Sequence, residues 1–255
     1  IEGCEFRRCA MGIGLNDFNA KVSGCVFSGN EEALFMVDSR LELSNNQMEH
    51  NASDLFLRAG SKGTLANSDI SGFNYLDISS GAELVIDANS IIDLADPNNP
   101  DNRGTILCDG LLRVRGNAVI QNANINVTRS SFEDGSIVSN SVITAEAGLP
   151  FGQFFVEDTA LIEGNEIHAD GDRYMDLEPL VFQGLIQNNK IYVKITEGTG
   201  SSRGGLFELR GAPGLLAGDP CDCSLGDFIC RINSYDMPPF DVNSWTLEEL
   251  WLTEG

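Results

Sequence analysis

Two acidic segments carry the residue types that most directly suggest chemistry. They span residues 93–104 and 170–178, and the first also contains several asparagines and two prolines. Carboxylate and amide oxygens are the ligands that Ca²⁺ prefers, although neither segment follows the spacing of an EF-hand loop. An ordinary extended loop is the alternative. The sequence therefore suggests Ca²⁺ as its one candidate cofactor, with four candidate ligands: Asp96, Asp101, Asp170 and Asp172.

The seven cysteines are a second reactive set, and their odd number leaves one thiol free or paired outside this segment. Three of them lie close together at Cys221, Cys223 and Cys230. A zinc site needs further ligands, and neither histidine of the chain is near in sequence, so disulfide pairing is the better interpretation.

Two sequons, Asn51-Ala52-Ser53 and Asn126-Val127-Thr128, make Asn51 and Asn126 candidate N-glycosylation sites. Such sites agree with an extracellular or cell-surface location. His50 and His168 are the only histidines, which leaves few candidates for a catalytic base.

These residues must be positioned by a repeat that recurs nine times. Each copy consists of an apolar residue, two mostly small or polar residues, then Asn, Cys or Ser, any residue, and a second apolar residue. The copies begin at Ile1, Val22, Leu43, Leu65, Ile86, Val114, Ile137, Ile162 and Ile186. Steps of roughly 21–25 residues, with one longer step, fit one coil of a β-solenoid in which short strands alternate with bends.

The fourth position of the repeat predicts an internal polar ladder at a bend, where Asn also tolerates a left-handed backbone. Its members would be Cys4, Cys25, Asn46, Ser68, Asn89, Asn117, Asn140, Asn165 and Asn189. In neighbouring coils Cys4 and Cys25 would lie about 5 Å apart, within reach of a disulfide. A stacked pair of thiols, or a bond to Cys9, is the alternative.

The sequence thus predicts an all-β parallel β-helix of about nine coils over residues 1–211. Residues 212–255 would form an irregular, cysteine-containing cap or linker, ending in a short helix at Thr246–Trp251 that a capping-box pattern suggests. Because the first repeat begins at Ile1, we expect further coils to precede it.

The charge balance narrows the choice of partners. With 38 acidic and 16 basic residues, the net charge of -22 disfavours nucleic acid, and no apolar run approaches the length of a membrane span. We expect the partners to be other copies or other domains of a larger extracellular assembly, with glycans as a further possibility.

The nine copies resemble the pectin-lyase-like superfamily of right-handed parallel β-helices over residues 1–211. Within it, Phe27-Ser28-Gly29-Asn30 and Gly204-Gly205-Leu206 are similar to the F-x-x-N and G-G-A/L motifs of chlamydial polymorphic membrane proteins and related adhesins. The resemblance implies a right-handed solenoid and, through those motifs, an adhesive role.

The superfamily also includes pectate lyases, polygalacturonases, methylesterases and alginate epimerases. The N-T-D, D-D, G-H-G and R-I-K motifs of polygalacturonases and the D-P-H motif of epimerases do not occur here. Arg113 and Arg115 follow the first acidic segment and leave a lyase-like pairing of Ca²⁺ and a basic residue open. A structural or adhesive scaffold is the favoured function, and a carbohydrate-active enzyme or glycan-binding module is the alternative.

Overall fold

The structure is a computed structural model that describes residues 1–145, 153–156, 159–172, 180–182, 185–187, 190–196, 205–211, 228–233 and 249–254. Side chains are described for residues 1–145 apart from Pro100, and for 155–156 and 159–168. All the regular elements in this part of the chain are β-strands, and none of it forms a helix long and apolar enough to cross a membrane.

Three sheets of mainly parallel strands make up the fold, and each coil adds one strand to each sheet. With strands numbered in chain order, sheet I contains β1 (Glu5–Arg7), β4 (Val26–Ser28), β7 (Gln47–Glu49), β10 (Asp69–Ser71), β13 (Ile91–Asp93), β17 (Val119–Gln121), β20 (Ile137–Ser139), β23 (Leu161–Glu163) and β26 (Leu185–Gln187). Sheet II contains β2 (Met11–Asn16), β5 (Glu32–Val37), β8 (Ser53–Leu57), β11 (Tyr75–Ile78), β15 (Asn99–Cys108), β18 (Ala123–Val127), β21 (Val142–Ala145), β24 (Glu166–Asp172), β27 (Lys190–Thr196) and β30 (Glu249–Glu254), with β14 (Ala95–Asp96) beside β15. Sheet III contains β3 (Asn19–Ser23), β6 (Arg40–Ser44), β9 (Lys62–Ala66), β12 (Glu83–Asp87), β16 (Leu111–Val114), β19 (Arg129–Phe132), β22 (Gln153–Val156), β25 (Leu180–Phe182), β28 (Gly205–Gly211) and β29 (Phe228–Asn233).

This architecture confirms the predicted all-β parallel solenoid. The uninterrupted part of the chain, residues 1–145, contributes seven strands to sheet I, and β23 and β26 extend that sheet. The uninterrupted part thus makes about seven turns, slightly fewer than the nine coils expected.

The core is a column of apolar side chains that stack in register from coil to coil. In sheet III, Val22 pairs with Leu43 and Leu43 with Leu65, and in sheet I Phe27 pairs with Met48. All five side chains are buried. Because alternate residues of a strand point to opposite faces, constant register places the same inward positions above one another. Burial of each such side chain contributes about 1.5–3 kcal/mol.

Two corners of the coil carry hydrogen-bonded ladders. The first ladder lies in the turn between sheets III and I, and each side chain accepts a bond from a backbone N–H one coil earlier. These bonds join Cys4 N to Cys25 Sγ (3.3 Å), Cys25 N to Asn46 Oδ1 (2.9 Å), Asn46 N to Ser68 Oγ (3.0 Å) and Ser68 N to Ser90 Oγ (3.3 Å). The ladder satisfies buried backbone donors that water does not reach.

The second ladder repeats this chemistry in the turn between sheets I and II. Its bonds join Cys9 N to Asn30 Oδ1 (2.9 Å), Asn30 N to Asn51 Oδ1 (2.9 Å), Ala123 N to Ser141 Oγ (3.2 Å) and Ser141 N to Asn165 Oδ1 (2.9 Å). Asn165, predicted in the first ladder, belongs to this one. Asn30, the last residue of the F-x-x-N motif, is a ladder residue here.

Three predicted ladder positions are wrong. Asn89, Asn117 and Asn140 have positive φ angles of 59°, 60° and 49° and lie one residue before a buried position. Ser90 and Ala118 occupy the first-ladder position in two of these coils. The left-handed turn residue and the ladder residue are adjacent, and because Asn suits both places the sequence does not separate them.

The predicted repeat also shifts to a different turn at its seventh copy. Val114 pairs in register with Phe132, and Phe132 pairs with Val156, so the next strand of sheet III is β19. Ile137 lies in sheet I and Val142 in sheet II, on either side of the other turn. One coil therefore advances by only 18 residues, as the bond from Ala123 to Ser141 shows. The repeat still matches there because both turns join two apolar strands through a left-handed residue and a small polar one.

The longest coil adds a hairpin between sheets I and II, where β14 pairs antiparallel with the start of β15. Neither ladder crosses from this coil to the next, because the ladder positions there are held by residues without a polar side chain. In the first ladder Ala118 lies next to Ser90, and in the second Gly104 pairs with Ala123. Outward-facing side chains connect the two coils instead. These are the ion pair of Arg115 with Asp87 (2.9 Å) and the bonds from Gln121 and Asn122 to Asp93 (2.8 and 2.9 Å).

The helix predicted at Thr246–Trp251 is wrong over its described part. Glu249–Glu254 form β30, which pairs in parallel with β27. The edge of β27 offers unpaired backbone donors and acceptors, and a further strand satisfies them where a helix does not. β29, also after residue 212, pairs antiparallel with β28, so two strands of the C-terminal segment extend the sheets of the solenoid.

Candidate functional site

A cleft of about 860 Å³ opens at the corner between sheets I and II. The inserted hairpin forms one wall and the turns of preceding coils form the floor. The lining residues are Gly29, Asn30 and Glu31, then His50, Asn51 and Ala52, then Phe73 and Asn74, and on the hairpin Asp96, Pro97 and Asn98.

The floor consists of the amide side chains of Asn30, Asn51 and Asn74, each at most 3% exposed. Their Nδ2 donors are already used within the fold. Asn30 donates to the Phe6 carbonyl and to Asn51 Oδ1, Asn51 to the Phe27 carbonyl and to Asp54 Oδ1, and Asn74 to the Ser71 carbonyl, all at 2.7–3.1 Å. In contrast, Asn74 Oδ1 is buried and accepts no hydrogen bond among the described residues. The floor therefore carries an unpaired acceptor at Asn74, and both Nδ2 hydrogens of Asn30 and of Asn51 are in use.

Asp54 lies behind these amides and is fully buried in β8. Its Oδ1 accepts the 2.7 Å bond from Asn51, while its Oδ2 has no partner of hydrogen-bonding geometry in the described part of the chain. Burial raises the pKa of Asp54 to about 7, and the nearby amide side chains of Asn51 and Asn74 limit the rise. Near neutral pH this carboxyl is therefore balanced between its neutral and charged forms.

The walls add an aromatic surface and two carboxylates. The Phe73 side chain is 57% exposed, and Glu31 and Asp96 supply negative charge. The backbone N–H of Asn98 donates to Asp96 and holds the pKa of that carboxyl below its usual value, so Asp96 is ionised at neutral pH. The arrangement can contact a ligand that donates hydrogen bonds and carries positive charge.

The four predicted Ca²⁺ ligands are not brought together. Asp96 lines the cleft, whereas Asp101 is exposed on the same hairpin and does not. Asp170 and Asp172 lie in β24, where only the backbone is described. Among the described side chains, no three His, Cys, Asp or Glu residues are close enough to hold a metal ion. Calcium binding stays a prediction.

The two arginines of the lyase-like alternative face other partners. Arg113 lies in β16 of sheet III and Arg115 directly follows that strand, and they pair with Glu83 (3.7 Å) and Asp87 (2.9 Å) of the coil before. The acidic hairpin lies at a different corner, between sheets I and II. Each arginine thus connects neighbouring coils.

The two candidate glycosylation sites differ in accessibility. Asn51 is 2% exposed, and its side chain bonds to Asn30, to Asp54 and to the Phe27 carbonyl. The structure leaves no room for a glycan on that nitrogen, so Asn51 is corrected to a structural residue. Asn126 is partly exposed in β18 and remains a candidate.

The predicted bond between Cys4 and Cys25 is absent, since both are free thiols. Cys25 Sγ accepts the N–H of Cys4 at 3.3 Å and occupies a ladder position, which is the stacked-thiol alternative. Each thiol donates to a carbonyl two residues earlier. Cys221 and Cys223 lie outside the described residues and Cys230 is described only as part of β29, so their pairing stays a prediction.

Sequence reasoning missed Asp54, Phe73 and Asn74. One signal was available, because a carboxylate one residue after a sequon serine, at an inward strand position, is unusual for a core. Asn74 gave no signal, since it occupies a place that the predicted repeat did not cover.

A comparison with known protein families matches residues 1–151 to the family described as right handed beta helix region, which is more than half of the chain. A search of curated proteins found no match.

Proposed function

Because the chain belongs to the right-handed β-helix family, we propose that it serves as a structural or adhesive scaffold in an extracellular assembly. One observation carries the proposal, namely that polar side chains connect each coil to the next. The two ladders do so inside the fold, at sequence separations of 18–24 residues.

Ion pairs do the same on the outer surface. Glu83 forms ion pairs with Lys62 of the coil before (2.9 Å) and with Arg113 of the coil after (3.7 Å). Lys21 forms an ion pair with Glu42 of the next coil. These charged side chains connect neighbouring coils, which suits an architectural or surface-presenting element.

The proposed partners follow from charge and shape. A net charge of -22 keeps an extended β-surface soluble and disfavours nucleic acid. Other copies or domains of the same assembly, bound through sheet edges or outer faces, are the partners we propose. Glycans and Ca²⁺ are secondary candidates.

Electron microscopy of the native full-length material, with and without a calcium chelator, tests this function. We expect rods, filaments or sheets of regular width. A change on chelation would support a role of Ca²⁺ at the acidic segments, and no change would remove that role. Dispersed particles that cleave an acidic polysaccharide would contradict the scaffold and support the enzyme alternative.

A further inference from the structure

We propose that the cleft between sheets I and II binds a cationic amine, either an alkylammonium or a guanidinium group. The proposed contacts are Asn74 Oδ1, the ring of Phe73 and the carboxylates of Glu31 and Asp96. This binding goes beyond the scaffold function and does not depend on assembly.

The unpaired acceptor at the floor is the first support. A buried polar atom without a partner costs about 1–3 kcal/mol, and a ligand N–H placed on Asn74 Oδ1 would remove that cost. Asn30 and Asn51 use both of their Nδ2 hydrogens within the fold, so a ligand that only accepts hydrogen bonds finds no donor at these two amides.

A narrow gap is left beside that oxygen. A Cβ built on Gly72 would lie 3.4 Å from Asn74 Oδ1 and 3.3 Å from His50 Nδ1. Glycine at residue 72, whose φ is 107°, leaves out a side chain that would fit only tightly between these two atoms. Both Asn74 and His50 line the cleft.

The walls favour positive charge over a neutral donor. The exposed ring of Phe73 offers a face for a cation–π contact, which contributes about 0.5–1 kcal/mol at an exposed site. Glu31 makes no ion pair within the described residues, and Asp96 is held in its charged form. Asp54 behind the floor adds further negative charge when ionised.

Two basic residues border the cleft and act against a cation. His50 is part of the lining, and the Cγ of Arg8 lies 3.7 Å from the position of a Cβ on Gly29. Arg8 belongs to the preceding coil and is exposed. Replacing it with glutamine should therefore strengthen binding.

The test is titration of the intact chain, followed by NMR or calorimetry, with matched probes. One probe is a neutral pentapeptide with a single central lysine, a second carries norleucine in its place, and a third is free cadaverine. We expect the lysine peptide to bind at least about tenfold more tightly than the norleucine peptide, and more weakly at high salt. Tighter binding of the lysine peptide than of cadaverine would indicate a protein partner, and the reverse would indicate a free amine.

Variants identify the site. Phe73→Ala should weaken binding of the lysine peptide about threefold to fivefold, which corresponds to the loss of one exposed cation–π contact. Asp96→Asn should also weaken it. The matched controls are Phe18→Ala, since Phe18 is 63% exposed elsewhere, and Asp101→Asn on the same hairpin outside the cleft. Both controls should bind as the parent does.

Equal binding of the lysine and norleucine peptides would overturn the proposal, as would tighter binding of a neutral sugar or an unchanged affinity in Phe73→Ala. The residues changed are exposed or on the hairpin, so thermal melting should be unaffected. Loss of rods in electron microscopy with intact amine binding would reject the scaffold function alone.

Discussion

Replacing Asp54 with asparagine should stabilise the protein at pH 8 and leave it nearly unchanged at pH 4. Asp54 is the one fully buried carboxyl among the described side chains, and burial raises its pKa from 3.8 to about 7. In the unfolded chain the same group titrates near its ordinary value. The folded state therefore binds the proton more tightly than the unfolded state does.

The sign and size of the effect follow from this difference. Below about pH 4 both states are protonated, and Asp54 carries no penalty. As the pH rises from 4 to 7 the unfolded state gains from ionisation while the folded state does not, so stability falls, and above pH 7 the loss is constant. A shift from 3.8 to about 7 corresponds to about 4 kcal/mol. Asparagine keeps the acceptor for Asn51 and stays neutral throughout.

Urea unfolding of the parent and Asp54→Asn at pH 4, 5, 6, 7 and 8 measures this effect. The free energy of unfolding of the variant should exceed that of the parent by several kcal/mol at pH 8, and the excess should decline towards pH 4. Asp101→Asn, which changes an exposed aspartate, controls for net charge. A difference that does not vary with pH would refute the reasoning, because Asp54 would then not be ionised at a cost in the folded state.

Two further predictions concern the core and the thiols. Gly104→Ala should lower the free energy of unfolding by about 1–3 kcal/mol or more, since its Cβ would lie 2.4 Å from a backbone oxygen. The control Gly14→Ala meets only a flexible methionine sulfur and should cost little. Calorimetry of both variants measures the difference. In the native protein, alkylation at pH 8 should modify exposed Cys4 and spare Cys108, because burial raises the pKa of the Cys108 thiol to about 12. Mass spectrometry of the peptides measures the modification of each cysteine. Equal modification of the two would contradict the prediction.

The sequence carried enough information to predict the solenoid because its cause is local and repeated. Pairs of apolar residues around a short polar turn recur with each coil, and this pattern alone requires parallel stacking. The sequence did not show which of the two turns each copy of the repeat occupies, since the turn between sheets III and I and the turn between sheets I and II have similar sequences. Val138 and Ser141 around one turn match the pattern that Leu43 and Asn46 form around the other.

The cleft was only half predictable. Asp96 was identified from composition, as part of an acidic insertion. Its neighbour across the cleft, Asn74, comes from a different coil, and the bonds that engage the Asn51 donor and leave Asn74 Oδ1 unpaired depend on side-chain geometry. The fate of Asn51 shows the same limit, since its sequon is visible in sequence but its burial is not.

The bonds between the hairpin coil and the next one have a consequence for how the solenoid responds to its surroundings. Other described coils are joined by ladders that the core shields from ions, whereas here Arg115 and Asp87 meet at the surface, partly exposed to solvent. Hydrogen bonds to Asp93 share that exposure. Ionic strength therefore acts directly on the polar side-chain bonds of this joint, which no internal ladder supplements. All three sheets continue through this joint, so its surface bonds add to a connection that the backbone already makes, and they lie in the same coil as the hairpin.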